Sequence, residues 1–171
     1  RLIWNTFDVV EKYQGISVQS KSGHSFIKDK MREHNAVYGG EMSAHHYFRD
    51  FSYCDSGMIP WLLVVSVLSE TGQSLSSLVE EMITKFPCSG EINFKVQDTQ
   101  VTIQKIFDHF ADQNPSIDRT DGVSLNFESW RLNVRASNTE PLLRLNIESR
   151  ADQNPKPMQA YVDELTQLIQ G

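Results

Sequence analysis

The chain has 171 residues, of which 39% are hydrophobic, so it can bury one sizeable core or two small ones. Its 22 acidic residues outnumber its 16 lysines and arginines, and the net charge of -6 argues against nucleic acid and anionic membrane surfaces as partners. Cys54 and Cys88 show no C-x-x-C spacing, which predicts a reduced, cytoplasmic protein. The longest apolar run, residues 58–68, is about half of the roughly 20 residues that a membrane-spanning helix needs. The start at Arg1, without an initiator methionine, suggests that something upstream is missing.

The first half of the sequence alternates between helical and extended patterns. Apolar residues at helical spacing precede Gly15, and Ile16 and Val18 then alternate with polar neighbours as in a short strand. Gly39 and Gly40 can end a second strand. The patterns predict a helix at 9–13, a strand at 16–18, a helix at 25–33 and a strand at 36–38.

Two more helices are predicted before residue 88. The apolar run predicts a buried helix, with Pro60 near its start, where a helix tolerates proline, and Gly72 at its end. Ser74 is a typical N-cap for the next helix. The apolar residues that keep helical spacing in that helix are Leu75, Leu78, Val79, Met82, Ile83 and Phe86.

The pattern changes beyond the breaker cluster at residues 87–90. Apolar and polar residues alternate at 92–96, 123–127, 130–134 and 143–147, and helical stripes lie at 103–110 and 158–169. The order β-α-β-β-β-α predicts a four-stranded antiparallel sheet with two helices on one side. We therefore predict an α/β domain over 1–87, followed by a small α+β domain over 88–171.

Two polar loops of the first domain follow the carboxyl ends of predicted strands, which is where open α/β sheets bind ligands. They are residues 21–24, Lys-Ser-Gly-His, and residues 39–45, Gly-Gly-Glu-Met-Ser-Ala-His. If the two strands are neighbours, the loops share a crevice. His24 could transfer a proton or contact a phosphate, or it could be an ordinary residue at the start of a helix.

The second loop carries three polar groups at alternate positions. Glu41 offers a carboxylate, Ser43 a hydroxyl and His45 an imidazole. On an extended loop such groups point the same way, which suits the vicinal hydroxyls of a sugar. The alternative is a glycine turn in which Glu41 and Ser43 cap the next element.

A third loop, residues 135–141, joins two strands of the second domain. Arg135 faces away from the core, and Ser137, Asn138 and Thr139 follow it with further hydrogen-bond donors. Several donors that converge on one point suit a phosphate. The alternative is an ordinary hairpin loop, in which such residues are common.

A metal site is a further possibility that the spacing disfavours. No pair of histidines has His-x-x-x-His spacing on a clear helix, and Cys54 has no partner thiol. We therefore predict no metal site in this chain. The residues considered are His34, His45, His46, Cys54 and Asp55.

The three loops resemble signatures of the α-D-phosphohexomutase superfamily. The matching segments are residues 21–24, residues 40–45 and residues 135–141, Arg-Ala-Ser-Asn-Thr-Glu-Pro. Residues 40–48, with the Cys-Asp-Ser-Gly at 54–57, are most similar to bacterial phosphomannomutases of GDP-mannose and surface-polysaccharide synthesis. The resemblance covers essentially the whole chain.

The resemblance implies a four-domain enzyme, of which this chain is the end of domain three plus domain four. It implies that Glu41 and Ser43 hold sugar hydroxyls with His45 beside them, and that His24 is a catalytic residue lining the active site. Ala44 stands where many relatives have glycine. The residues implied to clamp the non-reacting phosphate are Arg135, Ser137, Asn138 and Thr139.

The implied reaction is the interconversion of mannose 6-phosphate and mannose 1-phosphate through a phosphoserine enzyme and a bisphosphate intermediate. The family's phosphoserine loop, of Ser-His-Asn-Pro type, and its Mg²⁺ loop of alternating aspartates are not in this sequence. We therefore expect this chain to be inactive alone. Its expected partners are the N-terminal domains of the same enzyme and a hexose phosphate, and Mg²⁺ would be bound outside this chain.

Three other readings stay open. The chain could be a stand-alone, non-catalytic module that binds sugar phosphates, or part of an enzyme with phosphoglucomutase specificity. A sheet of the β-α-β-β-β-α type could also stack nucleic-acid bases, but the acidic charge and the lack of exposed aromatic strand positions argue against this.

Overall fold

The computed structural model describes residues 2–137, 141–153 and 156–171. They form two compact units: the central unit, Ile16–Glu81, and the terminal unit, Arg1–Gly15 with Met82–Gly171. Helix α1 therefore lies in the terminal unit, and the predicted division near residue 88 stays a prediction. The helices are α1 (Trp4–Lys12), α2 (His24–Glu33), α3 (Met58–Thr71), α4 (Leu75–Lys85), α5 (Thr99–Phe110) and α6 (Met158–Gln170). The strands are β1 (Tyr38–Gly40), β2 (His46–Phe48), β3 (Cys54–Asp55), β4 (Cys88–Lys95), β5 (Ser116–Asp118), β6 (Val123–Asn126), β7 (Trp130–Ala136) and β8 (Leu142–Ser149).

The central unit contains a small antiparallel sheet in the order β1-β2-β3. Ile27 and Met31 lie four residues apart on α2 and pack against Tyr47 of β2, so one face of the helix covers the sheet. The mixed class predicted for this part is confirmed, but Ile16 and Val18 are not in a strand and the second strand begins two residues late, at Tyr38. An alternating pattern makes a strand when a neighbouring strand pairs with it, and none pairs with this segment.

Helices α3 and α4 follow the sheet. Ser56 Oγ accepts hydrogen bonds from the first backbone N–H groups of α3, and Gly72 ends that helix in the left-handed region, as predicted. Ser74 Oγ accepts from Ser77 N at the start of α4, which confirms the predicted N-cap. The prediction that α3 is buried was wrong in this structure, because none of its residues is buried and apolar side chains such as Trp61 are largely exposed. Within the described residues no single helix is long and apolar enough to span a membrane, although α3 and α4 reach that length together, across a bend of 98°.

The terminal unit is built on a five-stranded antiparallel sheet in the order β4-β8-β7-β6-β5. The predicted α+β class is confirmed, and the predicted count of four strands was wrong because β5 adds an edge strand. Ile117 is the sole apolar residue of β5 and is half exposed, so the short segment carries no alternating pattern.

One face of this sheet carries the larger core. Leu132 of β7 and Leu145 of β8 are fully buried, as are Ile106 of α5 and Leu165 of α6. Asp98 is the N-cap of helix α5, and its carboxylate accepts from the N–H groups of Gln100 and Val101 in the first turn. Two amphipathic helices therefore cover one face of the sheet, as the sequence predicts.

The opposite face of the sheet is polar and buried. Arg131 Nη1 donates to Glu148 Oε1 over 2.6 Å, and both side chains are at most 3% exposed. The Glu148 carboxylate also accepts hydrogen bonds from the backbone N–H groups of Ile3 and Trp4, at the start of α1. A carboxylate at a helix N-terminus satisfies free donors and opposes the positive end of the helix dipole. Glu148 therefore joins the first helix to the sheet.

Gly39 lies where β1 crosses α2 closely. A Cβ at this position would stand 2.7 Å from Met31 Sδ and 3.0 Å from Ile27 Cγ2, both in buried side chains. We expect Gly39→Ala to lower the free energy of unfolding by about 1–3 kcal/mol through overpacking, measured by urea denaturation.

Gly57→Ala is the matched control for this substitution. Gly57 has a helical φ of −86°, and nothing lies within 4 Å of its added Cβ. We expect its unfolding free energy to change by less than about 1 kcal/mol. Equal losses in the two variants would contradict the close packing of β1 on α2.

Candidate functional site

The two predicted loops of the central unit meet in the structure. Gly23 N donates a hydrogen bond to Glu41 Oε1 over 2.7 Å, and Gly23 has a φ of +127° that favours glycine. His24 is the first residue of α2, directly after this contact. The backbone of the first loop is thus attached to the carboxylate of the second.

Glu41 is the central group of this contact. Its side chain is 8% exposed, and its second oxygen, Oε2, accepts from the Tyr47 hydroxyl over 2.6 Å. Burial and the neighbouring carboxylate of Glu41 raise the pKa of Tyr47 far above its ordinary value, so the hydroxyl stays a donor at neutral pH. Tyr47 could not be predicted as part of this contact, because its inward position follows from the register of β2 on β1.

The segment from Glu41 to His45 closes as a tight turn. Glu41 N donates to His45 O, and Ala44 N donates to Glu41 O, each over 3.0 Å. Ala44 adopts a φ of +63°, in the left-handed region that residues with a Cβ rarely occupy. Ser43 Oγ lies 2.9 Å from His45 Nδ1 and fixes the imidazole. The three predicted polar groups therefore belong to one ordered turn.

His24 and His45 are neighbours across the two loops. Their ring centroids are 4.7 Å apart in an edge-to-face arrangement, and both side chains are about half exposed. Asp55 of β3 adds a carboxylate whose Oδ1 lies 3.5 Å from His24 Nδ1 and 4.0 Å from Lys28 Nζ. Of the histidines considered with Asp55 in the sequence, His45 lies in this cluster, and His24, 31 residues upstream of Asp55, joins it.

The terminal unit carries the third predicted loop. Arg135 lies near the end of β7, and Ser137 N donates to Leu142 O to begin the connection. Asn138 and Thr139, which were predicted to contact phosphate, lie outside the described residues.

Arg144 of β8 stands directly opposite Arg135 in the strand register. Like charges at directly opposite positions repel each other. Arg144 Nη1 lies 3.5 Å from Glu91 Oε1, and its buried Nε has no hydrogen-bond partner. The end of the β7-β8 hairpin thus holds two guanidinium groups, a second one beyond the sequence prediction.

Gly122 supports the backbone at Arg135. A Cβ on Gly122 would stand 2.5 Å from Val134 O and 2.9 Å from Arg135 Cβ, and its φ is +74°. The turn that precedes β6 therefore packs directly against the end of β7.

Two sequence-family models match the chain. The model described as phosphoglucomutase/phosphomannomutase, alpha/beta/alpha domain III, matches residues 2–86. The model described as phosphoglucomutase/phosphomannomutase, C-terminal domain, matches residues 91–165. The two matches follow one another along almost the whole sequence.

Curated relatives are similar over the same range. A protein named phosphohexose mutases from Xanthomonas campestris pv. campestris is 56% identical over 171 residues, which are 100% of this chain and 38% of that protein. A phosphomannomutase of Vibrio cholerae serotype O1 is 56% identical over 170 residues, 99% of this chain and 36% of the relative. A phosphomannomutase of Escherichia coli K12 is 55% identical over 152 residues, 89% of this chain and 33% of the relative. The chain thus spans little more than a third of the length of these relatives.

A solved structure shows the same fold. A phosphoglucomutase/phosphomannomutase family protein from Burkholderia thailandensis superposes with a TM-score of 0.71 over 98% of this chain and 36% of its own length. At 23% identity this similarity concerns the fold alone.

Removing the hydroxyl of Tyr47 tests whether Glu41 holds the two loops together. Tyr47→Phe removes the donor to Glu41 Oε2, and hydrogen bonds to charged groups contribute about 1.5–3 kcal/mol. We expect a loss of that size in the urea unfolding free energy. Tyr38→Phe is the control, because its hydroxyl bonds His46 Nδ1 at an exposed position, and we expect less than about 1 kcal/mol. Similar losses in both variants would contradict this role.

Because Ala44 has a left-handed backbone, we expect a substitution there to raise the free energy of unfolding rather than lower it. Ala44→Gly relieves a steric cost of about 1–2 kcal/mol and adds about 0.5–1 kcal/mol of backbone entropy cost. We expect a net gain of about 0–1.5 kcal/mol in the unfolding free energy. Ala160→Gly in α6 is the control and should lose about 1 kcal/mol, since its backbone is helical. A loss in both variants would refute the strain at Ala44.

Proposed function

Because the chain belongs to the phosphoglucomutase/phosphomannomutase family, we propose that it supplies substrate recognition to a phosphomannomutase that interconverts mannose 6-phosphate and mannose 1-phosphate. The observation that carries this proposal is the junction of the two loops, in which Gly23 N and Tyr47 OH both donate to Glu41. That junction brings His24, Ser43 and His45 to one half-exposed surface of the central unit.

In our proposal this surface binds the sugar hydroxyls. A carboxylate has about four lone-pair sites, and the two hydrogen bonds in the structure leave acceptor capacity on Glu41. Ser43 and His45 add groups that can both donate and accept. Because Tyr47 and Gly23 hold the carboxylate in place, little entropy is lost when a hydroxyl binds.

We assign the phosphate of the substrate to the end of the β7-β8 hairpin. Arg135 and Arg144 stand opposite one another there, and an anion placed between two guanidinium groups relieves their repulsion. Planar guanidinium donors also match phosphate oxygens in pairs. Ser137 follows Arg135 and offers a further hydroxyl donor.

The proposed reaction passes through a phosphoserine and a bisphosphate intermediate. One centre must then accept the sugar in two orientations, so its contacts should be to features that both orientations share. The 3- and 4-hydroxyls meet that need, whereas mannose and glucose differ at the 2-hydroxyl. We therefore expect glucose phosphates to be substrates as well. His24, at the start of α2, is our candidate for proton transfer.

Other parts of such an enzyme would complete the reaction. Within the described residues, the cluster of possible metal ligands is His24, His45 and Asp55, and two imidazoles do not fit the all-oxygen set that Mg²⁺ prefers. We therefore assign no magnesium-dependent step to these residues. The exposed free thiols of Cys54 and Cys88 support a reducing, cytoplasmic location in this proposal.

Arg135→Ala tests the phosphate assignment in a protein that contains this chain together with the phosphoserine and magnesium loops. Losing charge-assisted hydrogen bonds of about 1.5–3 kcal/mol each should lower kcat/KM about a hundredfold or more while circular dichroism stays unchanged. Lys105→Ala on α5 removes a cation elsewhere in the same unit and should leave kcat/KM within about twofold. Unchanged kinetics in Arg135→Ala would refute the assignment.

Titration of the 171-residue chain with mannose 1-phosphate distinguishes a recognition part from a stand-alone module. Weak or unsaturated binding by calorimetry, with no mutase activity, is expected for part of an enzyme. Tight, saturable binding would instead favour the non-catalytic module.

A further inference from the structure

His24 and His45 share a cluster with Asp55, a carboxylate to which the proposed function gives no role. One ligand atom from each residue lies within 4.8 Å of the other two. His24 comes from the start of α2, His45 from the turn and Asp55 from β3, so three separate elements converge. The two imidazoles are about half exposed, and the carboxylate is 35% exposed, so an ion from solvent can reach all three.

We propose that these three residues form a binding site for a divalent transition-metal ion of the Zn²⁺, Co²⁺ or Ni²⁺ type. Two imidazoles and one carboxylate are a common protein donor set for such ions, and they leave a fourth position for water. Metal–ligand distances of about 2.0–2.2 Å place tetrahedral ligand atoms about 3.3 Å apart. The pair His24 Nδ1 and Asp55 Oδ1 is already at 3.5 Å. All three ligand atoms lie within 4.8 Å of one another.

The surroundings of the cluster favour a cation. Glu41 Oε2 lies 3.7 Å from His45 Nδ1, so two carboxylates flank the two rings. The ammonium of Lys28 lies 4.0 Å from Asp55 Oδ1. Ser43 Oγ, at 2.9 Å from His45 Nδ1, already holds that ring, which lowers the entropy cost of coordination. The local charge and the ordered ring thus both support metal binding.

This site goes beyond the proposed function, because it needs neither sugar nor phosphate. It also implies a form of control. A metal ion that occupies His24 and His45 withdraws both imidazoles from any substrate, so the metal and a hexose phosphate would exclude each other at the central unit.

Co²⁺ is the probe for this site, because tetrahedral Co²⁺ gives visible absorption bands that hexa-aqua Co²⁺ lacks. The purified chain is titrated with Co²⁺ in a buffer without sugar phosphate. We expect saturable bands at one equivalent per chain and displacement of Co²⁺ by Zn²⁺. In the proton NMR spectrum the imidazole signals of His24 and His45 should broaden, and those of His34 and His109 should not. No saturable bands in excess Co²⁺ would overturn the proposal.

Three variants assign the ligands, namely His24→Gln, His45→Gln and Asp55→Asn. Each should weaken Co²⁺ binding by at least about tenfold, and His34→Gln, an exposed histidine outside the cluster, should not change it. Circular dichroism checks that each variant is folded. If a histidine variant does not fold, the NMR broadening of that histidine in the unmodified chain shows whether it binds Co²⁺. Undiminished binding in folded variants would overturn the site. Absence of Co²⁺ binding would overturn the metal site and leave the proposed function intact, because that function is tested separately by the kinetics of Arg135→Ala.

Discussion

The site of the central unit depends on how one buried carboxylate is satisfied. Glu41 is 8% exposed, and a carboxylate so far from water is costly unless donors surround it. Gly23 N and Tyr47 OH are those donors, and each belongs to a different element. Satisfying Glu41 therefore fixes the start of α2, the turn and β2 together. The positions of the exposed groups around it, above all His24 and His45, follow from these hydrogen bonds to Glu41.

The sequence predicted what is local and repeated. Strands β4, β7 and β8 and helices α5 and α6 have periodic apolar faces, so their patterns identified both the elements and the core. The resemblance of the loops to phosphohexomutases is confirmed by the family matches at residues 2–86 and 91–165. Strand β5 was missed because three residues hold no pattern. The segment at Ile16 failed because alternation marks a possible strand, while pairing with a neighbour decides whether it forms.

Some polar groups of the candidate sites could be predicted from local sequence patterns, and others could not. Glu41, Ser43 and His45 were found because they alternate within one short loop, and their roles in binding stay predictions. Two residues were out of reach of the sequence because strand register places them: Tyr47 next to Glu41 in the central unit and, separately, Arg144 opposite Arg135 in the terminal unit. Asp55 meets His24 across a separation of 31 residues, and spacing rules for metal ligands consider short ranges. Register and long-range convergence are therefore where the structure adds most to the sequence.

The contact of Glu148 with α1 fixes the direction in which this helix docks on the sheet. A helix that docks through apolar side chains alone can often slide or reverse with modest loss, because such contacts have no polarity. From the helix backbone, the Glu148 carboxylate can accept only from free N–H groups, and a helix has these at its N-terminal end alone. The polar face of the sheet thus accepts α1 in a single orientation and at a single height, although Trp4 is the only fully packed side chain among the described residues of that helix.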